Sequence, residues 1–215
     1  STNILSDHNV AIGNDALATH NTGSSIDAYN VAVGSGAGFA VTTGKQNTFI
    51  GGNAGDANTT ADNNTAVGYS AGSAVTTGAN NTFVGSAAGD ATDDGAGNTA
   101  MGYGALSANC GDGNVAVGSS AGTAITGGSN TVIGNAAGYA VTSGDNNLFL
   151  GKDAGRTGSP GGNHVTADSR IVLGDENIAV ANIQVDWTVA SDARDKTDFT
   201  ALDLGLEFVK DLQPV

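Results

Sequence analysis

The sequence predicts an all-β fold, a parallel β-roll or β-solenoid of about ten repeats of 16–17 residues. Three observations predict it. First, a core Asn-x-x-x-Gly recurs, with its glycine at Gly13, Gly34, Gly51, Gly68, Gly85, Gly102, Gly118, Gly134 and Gly151, and a degenerate tenth copy at Arg170–Gly174. Second, the step between these glycines is 17 residues four times running, then 16, 16 and 17; only the first and last steps, 21 and 23, are longer. A strict period of this length marks coils that bury their faces against one another. Third, the 215 residues include 34 Gly and only 2 Pro, with 5% aromatic residues and no Gly-X-Y period. Such a composition excludes collagen and leaves small aliphatic side chains to build the core.

Taken in order, residues 1–8 read as an irregular lead-in and 9–177 as the repeat solenoid. Residues 178–190 read as a strand or end cap, and 191–215 as the start of a further, truncated domain. The first strand is Val10-Ala11-Ile12. The next cores are Val-Ala-Val at 31–33, Thr-Phe-Ile at 48–50, Thr-Ala-Val at 65–67, Thr-Phe-Val at 82–84 and Thr-Ala-Met at 99–101. They continue as Val-Ala-Val at 115–117, Thr-Val-Ile at 131–133, Leu-Phe-Leu at 148–150 and Ile-Val-Leu at 171–173. Side chains alternate along a strand. Val31 and Val33 therefore share one face, and Ala32 takes the other. Both faces are mostly apolar, as in strands buried on both sides. One face suits the interior of the coil. The other calls for a second layer, which self-association around a shared axis would supply.

Ala recurs three residues after each strand glycine, at Ala16, Ala37, Ala54, Ala71, Ala88, Ala105, Ala121, Ala137 and Ala154. A methyl group there suits a tight stacked corner. Several copies add an expected second short strand, as in Ala40-Val41-Thr42, Ala74-Val75-Thr76, Ala124-Ile125-Thr126 and Ala140-Val141-Thr142. Glycine-rich turns such as Thr43-Gly44 lead on to the next Asn. The Asn column (Asn47, Asn64, Asn81, Asn98, Asn114, Asn130, Asn147) is expected to pair its amides along the stack. At about 4.8 Å per coil, ten coils extend roughly 45–50 Å, with the atypical first and last copies closing the ends.

The period ends after Gly174. Ile183, Val185, Trp187 and Val189 alternate with Gln184, Asp186 and Thr188, which reads as an extended strand. Trp187, the single Trp, is expected to plug the apolar axis. A helix is expected after Thr200, whose spacing to Asp203 resembles a capping box. Its apolar stripe is Leu202, Leu206, Val209 and Leu212, and Pro214 ends it.

Two resemblances follow from these residues. The unit Asn-Val-Ala-Val-Gly-Ser-Ser-Ala-Gly at 114–122 resembles the head repeats of trimeric autotransporter adhesins, and the likeness covers about residues 9–174. That resemblance implies a left-handed parallel β-roll with three chains around one axis; phage fibres use similar repeats. The block Ser191-Asp192-Ala193-Arg194-Asp195-Lys196, followed by Leu-Asp-x-Gly-Leu-x-Phe and Leu-x-Pro-Val, resembles the start of a self-cleaving intramolecular chaperone. That domain ends many phage tail fibres, tailspikes and endosialidases. The resemblance implies a cut between Ser191 and Asp192, with Ser191 as nucleophile and Lys196 as the essential base. A serine hydroxyl needs such a base at neutral pH, and a lysine serves when its pKa is lowered.

Together these expectations describe a phage tail fibre or tailspike segment on the virion, homotrimeric and matured by loss of its chaperone. Its partners would be itself, other tail proteins and a host surface receptor, a glycan among the candidates. The mature fibre would not be an enzyme. The head of a trimeric adhesin on a bacterial cell surface is the first alternative. An ice-binding solenoid using Thr48, Thr65, Thr82, Thr99 and Thr131 is the second; here that column sits on a strand expected to be buried.

The net charge of −14 argues against nucleic acid and anionic membranes as partners. No run approaches the ~18 apolar residues of a membrane span. The single Cys110 reads as an apolar filler. His8, His20 and His164 lack metal-ligand spacing and read as solvated loop residues. No cofactor is implied. Calcium is the one metal considered, through Asp93, Asp94, Asp112 and Asp145 in the turns, but no calcium-loop motif is present. Tyr69, Tyr103 and Tyr139 read as corner packing, with sugar stacking as the alternative.

Overall fold

The computed structural model describes residues 8–21, 27–156, 158–160, 162 and 164–180. The chain divides into two compact units, Ser1–Ala179 and Val180–Val215. Nearly all of the second lies outside the described residues. So do Trp187, the expected helix after Thr200 and the whole of 191–215. Of the strand expected over 178–190, only Ile178–Val180 is described, and it is not a strand.

The first unit is a parallel β-solenoid. Its strands are β1 (Val10–Ile12), β2 (Val31–Val33), β3 (Thr48–Ile50), β4 (Thr65–Val67) and β5 (Thr82–Val84). They continue as β6 (Thr99–Met101), β7 (Val115–Val117), β8 (Thr131–Ile133), β9 (Leu148–Leu150) and β10 (Ile171–Leu173). All ten form one sheet in sequence order. Equivalent residues pair in register, so Thr48 lies beside Thr65 and Thr65 beside Thr82.

The strands are three residues long because a glycine ends each. From Gly13 to Gly151 these glycines have φ between 111° and 141°, a region L side chains rarely enter. Space forbids a side chain as well. A Cβ on Gly85 would lie 2.5 Å from the carbonyl oxygen of Gly102 in the next coil.

Inside the coil the central strand residues stack as Ala32, Phe49, Ala66, Phe83, Ala100, Ala116, Val132, Phe149 and Val172, all buried. Large and small residues interleave, which fills the column at a fixed coil spacing. The fourth residue after the strand glycine is itself a glycine in most coils, and beside the Phe centres there is no room for a side chain. A Cβ on Gly55 would approach the Phe49 ring to 2.3 Å, and one on Gly89 the Phe83 ring to 2.5 Å. Where the strand centre is Ala11 or Ala100, that position is instead Leu17 or Leu106, and both leucines are buried. The alanines three residues after the glycine are buried throughout, as their spacing predicted.

The expected second strands are not formed. Ala40-Val41-Thr42 and its equivalents are turns and bends. The hydrogen bonds give the reason. Ala40 and Thr42 donate to the next coil, at Asp56 and Thr59, but Val41 N–H donates back to Gly38 within its own turn, 3.1 Å. Val75, Ile125 and Val141 do the same. In a parallel ladder successive residues bond to the coils on either side, and the tight turn takes the bond the middle residue would make to the other coil.

The Asn column does form a ladder, but chiefly through main-chain partners. Each Asn backbone N–H donates to Oδ1 of the preceding Asn, as in Asn81 to Asn64 and Asn98 to Asn81, both 2.8 Å. From Asn30 to Asn147 the Nδ2 groups donate to turn carbonyls, as in Asn81 to Gly95, 2.8 Å, with Asn98 the exception. Direct amide-to-amide bonds accompany this only at Asn114, Asn130 and Asn147.

Asn81→Ala would leave the Asn98 N–H and the Gly95 carbonyl buried without these partners. At about 1–3 kcal/mol per orphaned group, a loss of about 2–4 kcal/mol in urea denaturation is expected, with faster hydrogen exchange at the Asn98 amide. Unchanged stability and exchange would show that the column is not structural.

Candidate functional site

The first and third residues of every strand point out of the coil. They form two parallel columns, one from Val10 through Thr48 and Thr99 to Ile171, the other from Ile12 through Ile50 and Met101 to Leu173. Neither column contains a charged residue. Ile12 is 60% exposed and Met101 47% exposed, and the remaining positions are half-buried or exposed. A continuous uncharged strip on ten adjacent strands, one column wholly apolar and the other half threonine, is far more than scattered surface hydrophobics. Thr48, Thr65, Thr82, Thr99 and Thr131, expected on a buried strand, lie on this outward face and are half-buried in the single chain.

Two of the three histidines differ from expectation. His8 is exposed, within 3.0 Å of Asp27 and stacked on Tyr29. His20 is 1% exposed and His164 is also buried, so neither is a solvated loop residue. His164 stacks on Phe149 at 5.9 Å, and its Nε2 lies 3.1 Å from the Pro160 carbonyl. Burial pushes the pKa of His20 down. Chain position could not show this, because both residues lie in the long first and last steps, outside the regular period.

The turn aspartates have a structural task. Asp112 accepts from the Ala96 N–H at 2.8 Å and Asp145 from the Gly128 N–H at 2.7 Å. Asp62 and Asp168 cap neighbouring coils in the same way. Among the described residues no cluster of three His, Cys, Asp or Glu could hold a metal ion. Cys110 is the buried filler its sequence context predicted. Its sulfur lies 3.3 Å from Thr92 Oγ1, and burial raises its pKa. Ser191 and Lys196 lie outside the described residues.

Tyr69, Tyr103 and Tyr139 do not pack into corners. All three are exposed, Tyr103 at 66%. Tyr139 belongs to a column the sequence reading passed over, the fifth residue after the strand glycine: Phe39, Asp56, Ser73, Asp90, Ser107, Thr123, Tyr139 and Arg156. Arranging the chain by its period would have placed these side chains side by side. Arg156 lies over the Tyr139 ring, 5.0 Å from its centroid, and pairs with Asp153. Among the described residues, no helix is long and apolar enough to cross a membrane.

Asp56 and Asp90 each bury one carboxylate oxygen without a hydrogen-bond partner. Burial is the main cause of a raised pKa in both, opposed by local backbone amides. For a carboxyl raised on folding, the contribution is most favourable below the unfolded value and is lost as pH rises through the folded one. Charge at Asp56 therefore costs stability at neutral pH. Asp56→Ser, matching Ser73 in the next coil, is expected to raise the urea midpoint at pH 7. The gap should narrow as pH falls to about 3, where the native carboxyl is neutral too. A gap that persists or widens in acid would contradict this.

Comparison with protein-family models, curated proteins and solved structures finds no match to this chain.

Proposed function

We propose that this chain is a segment of a phage tail fibre or tailspike, a homotrimeric β-solenoid that extends toward or contacts a receptor on the host surface. The observation that carries this reading is the outward strand face, two uncharged columns, one wholly apolar and one half threonine, running the length of a ten-strand sheet. A face this long costs solubility unless it is covered, and identical copies provide matching columns at the same ~4.8 Å spacing. Three copies around one axis would turn it into a dry seam. The work of such a part is mechanical and adhesive, and it needs no cofactor.

The Ser191–Lys196 block supports a viral appendage over other trimeric surfaces. In this reading a downstream chaperone brings three chains together and then leaves in a single-turnover cut between Ser191 and Asp192. Ser191 acts as nucleophile and Lys196 as its base. The head of a cell-surface adhesin would use the same apolar face but would not need this block. The outward Thr column is the observation that favours an ice-binding role. The neighbouring Ile, Val and Met column suits protein contact better, and a thermal-hysteresis assay separates the two.

Sedimentation of the expressed chain is expected to give three times the 20.9 kDa chain mass. A Val84→Asp, Met101→Lys double variant is expected to shift toward monomer. A monomeric wild type would overturn the assembly. Expressed with its downstream sequence, the wild type is expected to end at Ser191 by intact mass, and Ser191→Ala is expected to stay whole. If both retain Asp192 and beyond, self-cleavage is wrong and the adhesin reading takes precedence.

A further inference from the structure

A second surface lies off the strand face. Tyr103 stands one residue after the strand glycine Gly102, and Tyr139 stands five residues after Gly134. Together they line a groove of about 250 Å³. Between them lie Asp90, Ser107, Ser120 and Thr123. The groove runs over four successive coils, so at about 4.8 Å per step it spans roughly 14 Å. None of these residues belongs to the outward strand columns.

The hydrogen-bond inventory shows what the groove offers. Ser107 Oγ donates its proton to the Gly104 carbonyl at 3.2 Å. Thr123 Oγ1 lies 2.9 Å from the Ser120 carbonyl and 3.2 Å from that of Gly104, so its proton too is directed inward. A hydroxyl has one proton to give, and its lone pairs remain. Asp90 adds its carboxylate to the lining. The groove thus presents acceptors to a ligand, next to two exposed aromatic rings. Its complement is a molecule rich in hydroxyl donors with apolar C–H faces that can lie on tyrosine.

An anion fits poorly, because Asp90 lines the site and the chain carries a net charge of −14. Gly104 keeps the groove open: a Cβ built there meets nothing within 4 Å.

We infer that the Tyr103–Tyr139 groove binds a short neutral oligosaccharide, its sugar rings lying on the tyrosines and its hydroxyls donating to Asp90, Ser107 and Thr123. This deepens the receptor-contact reading above and rests on it for its biological sense.

The test applies the chain to immobilised neutral oligosaccharides of glucose, mannose, galactose and N-acetylglucosamine, beside sialylated and sulfated oligosaccharides and a phosphocholine surface. Capture by at least one neutral class is expected, with at least a tenfold loss for Tyr103→Ala and for Gly104→Asn. The second variant fills the groove without straining the backbone. Gly104 has φ 58°, and Asn53 already holds the equivalent position at φ 53°. Tyr29→Ala, at a distant exposed tyrosine, is expected to bind as wild type does.

No capture by a neutral sugar, capture only by the anionic or phosphocholine surfaces, or binding indifferent to Tyr103→Ala would each overturn the inference. Sedimentation of the same samples keeps the two ideas apart. A trimer that binds no neutral sugar removes the groove alone, and a monomer that binds one removes the assembly alone.

Discussion

The solenoid depends on one hydrogen bond made again at each coil, from an Asn backbone N–H to the side-chain oxygen of the Asn before it. With Nδ2 tied to a turn carbonyl, each buried amide holds three things together: its own strand entrance, the next coil's strand and the turn that leads there. Such a bond contributes about 1 kcal/mol net, but leaving its groups buried and unpaired costs more. The asymmetry enforces the period. The exception shows it. The coil between Asn98 and Asn114 is one residue shorter than its predecessor, and Asn98 Nδ2 is left without a partner. The Gly111 carbonyl nearby is taken by Asn114 instead, at 3.0 Å. The first short coil is absorbed at the expense of one side-chain bond; the next, from Asn114 to Asn130, is equally short and keeps its bond, Asn114 Nδ2 to the Gly127 carbonyl at 3.0 Å.

This is why so much of the fold could be read from the chain. Every strand lies on the three residues the period marks, and the Phe49, Phe83 and Phe149 centres point inward as alternation requires. Repetition converts a weak local signal into a strong one, since each copy must satisfy the same neighbours. What could not be read depends on hydrogen-bond choices that residue type does not reveal. Val41 looks like a strand residue and is buried like one, yet its N–H closes a turn. Asn58 occupies the place that Val41 and Val75 hold, and both of its amide groups are buried without a partner. No alternation rule anticipates it. His20 and His164 were misread for a related reason: they lie in the long first and last steps, where the period gives no column to consult.

The surface was legible in one half. Apolar residues on both sides of a three-residue strand announced a face in need of cover, and that face is where the sequence placed it. The groove was not legible, because its walls come from different positions in different repeats. Tyr103 and Tyr139 are 36 residues apart and share no motif position. Only stacking makes them neighbours.

These two surfaces obey opposite rules, and that opposition follows from the thinness of the coil. On the strand face every copy must be alike, since a charge in one coil would lie about 4.8 Å from its neighbours and inside any seam. On the turn face the side chains leave the stack, so each coil is free to differ, and Asp56, Ser73, Thr123, Tyr139 and Arg156 share one column there. Variation is tolerated there because the inter-coil bonds at that column are accepted by backbone carbonyls, as in Ala40 N–H to Asp56 and Ala57 N–H to Ser73, whatever the side chain. A solenoid of this type can therefore change what it touches by substituting turn residues one coil at a time, while the Asn and Gly columns that hold it together stay constant. The Tyr103–Tyr139 groove occupies the part of the fold where a new specificity costs the least stability.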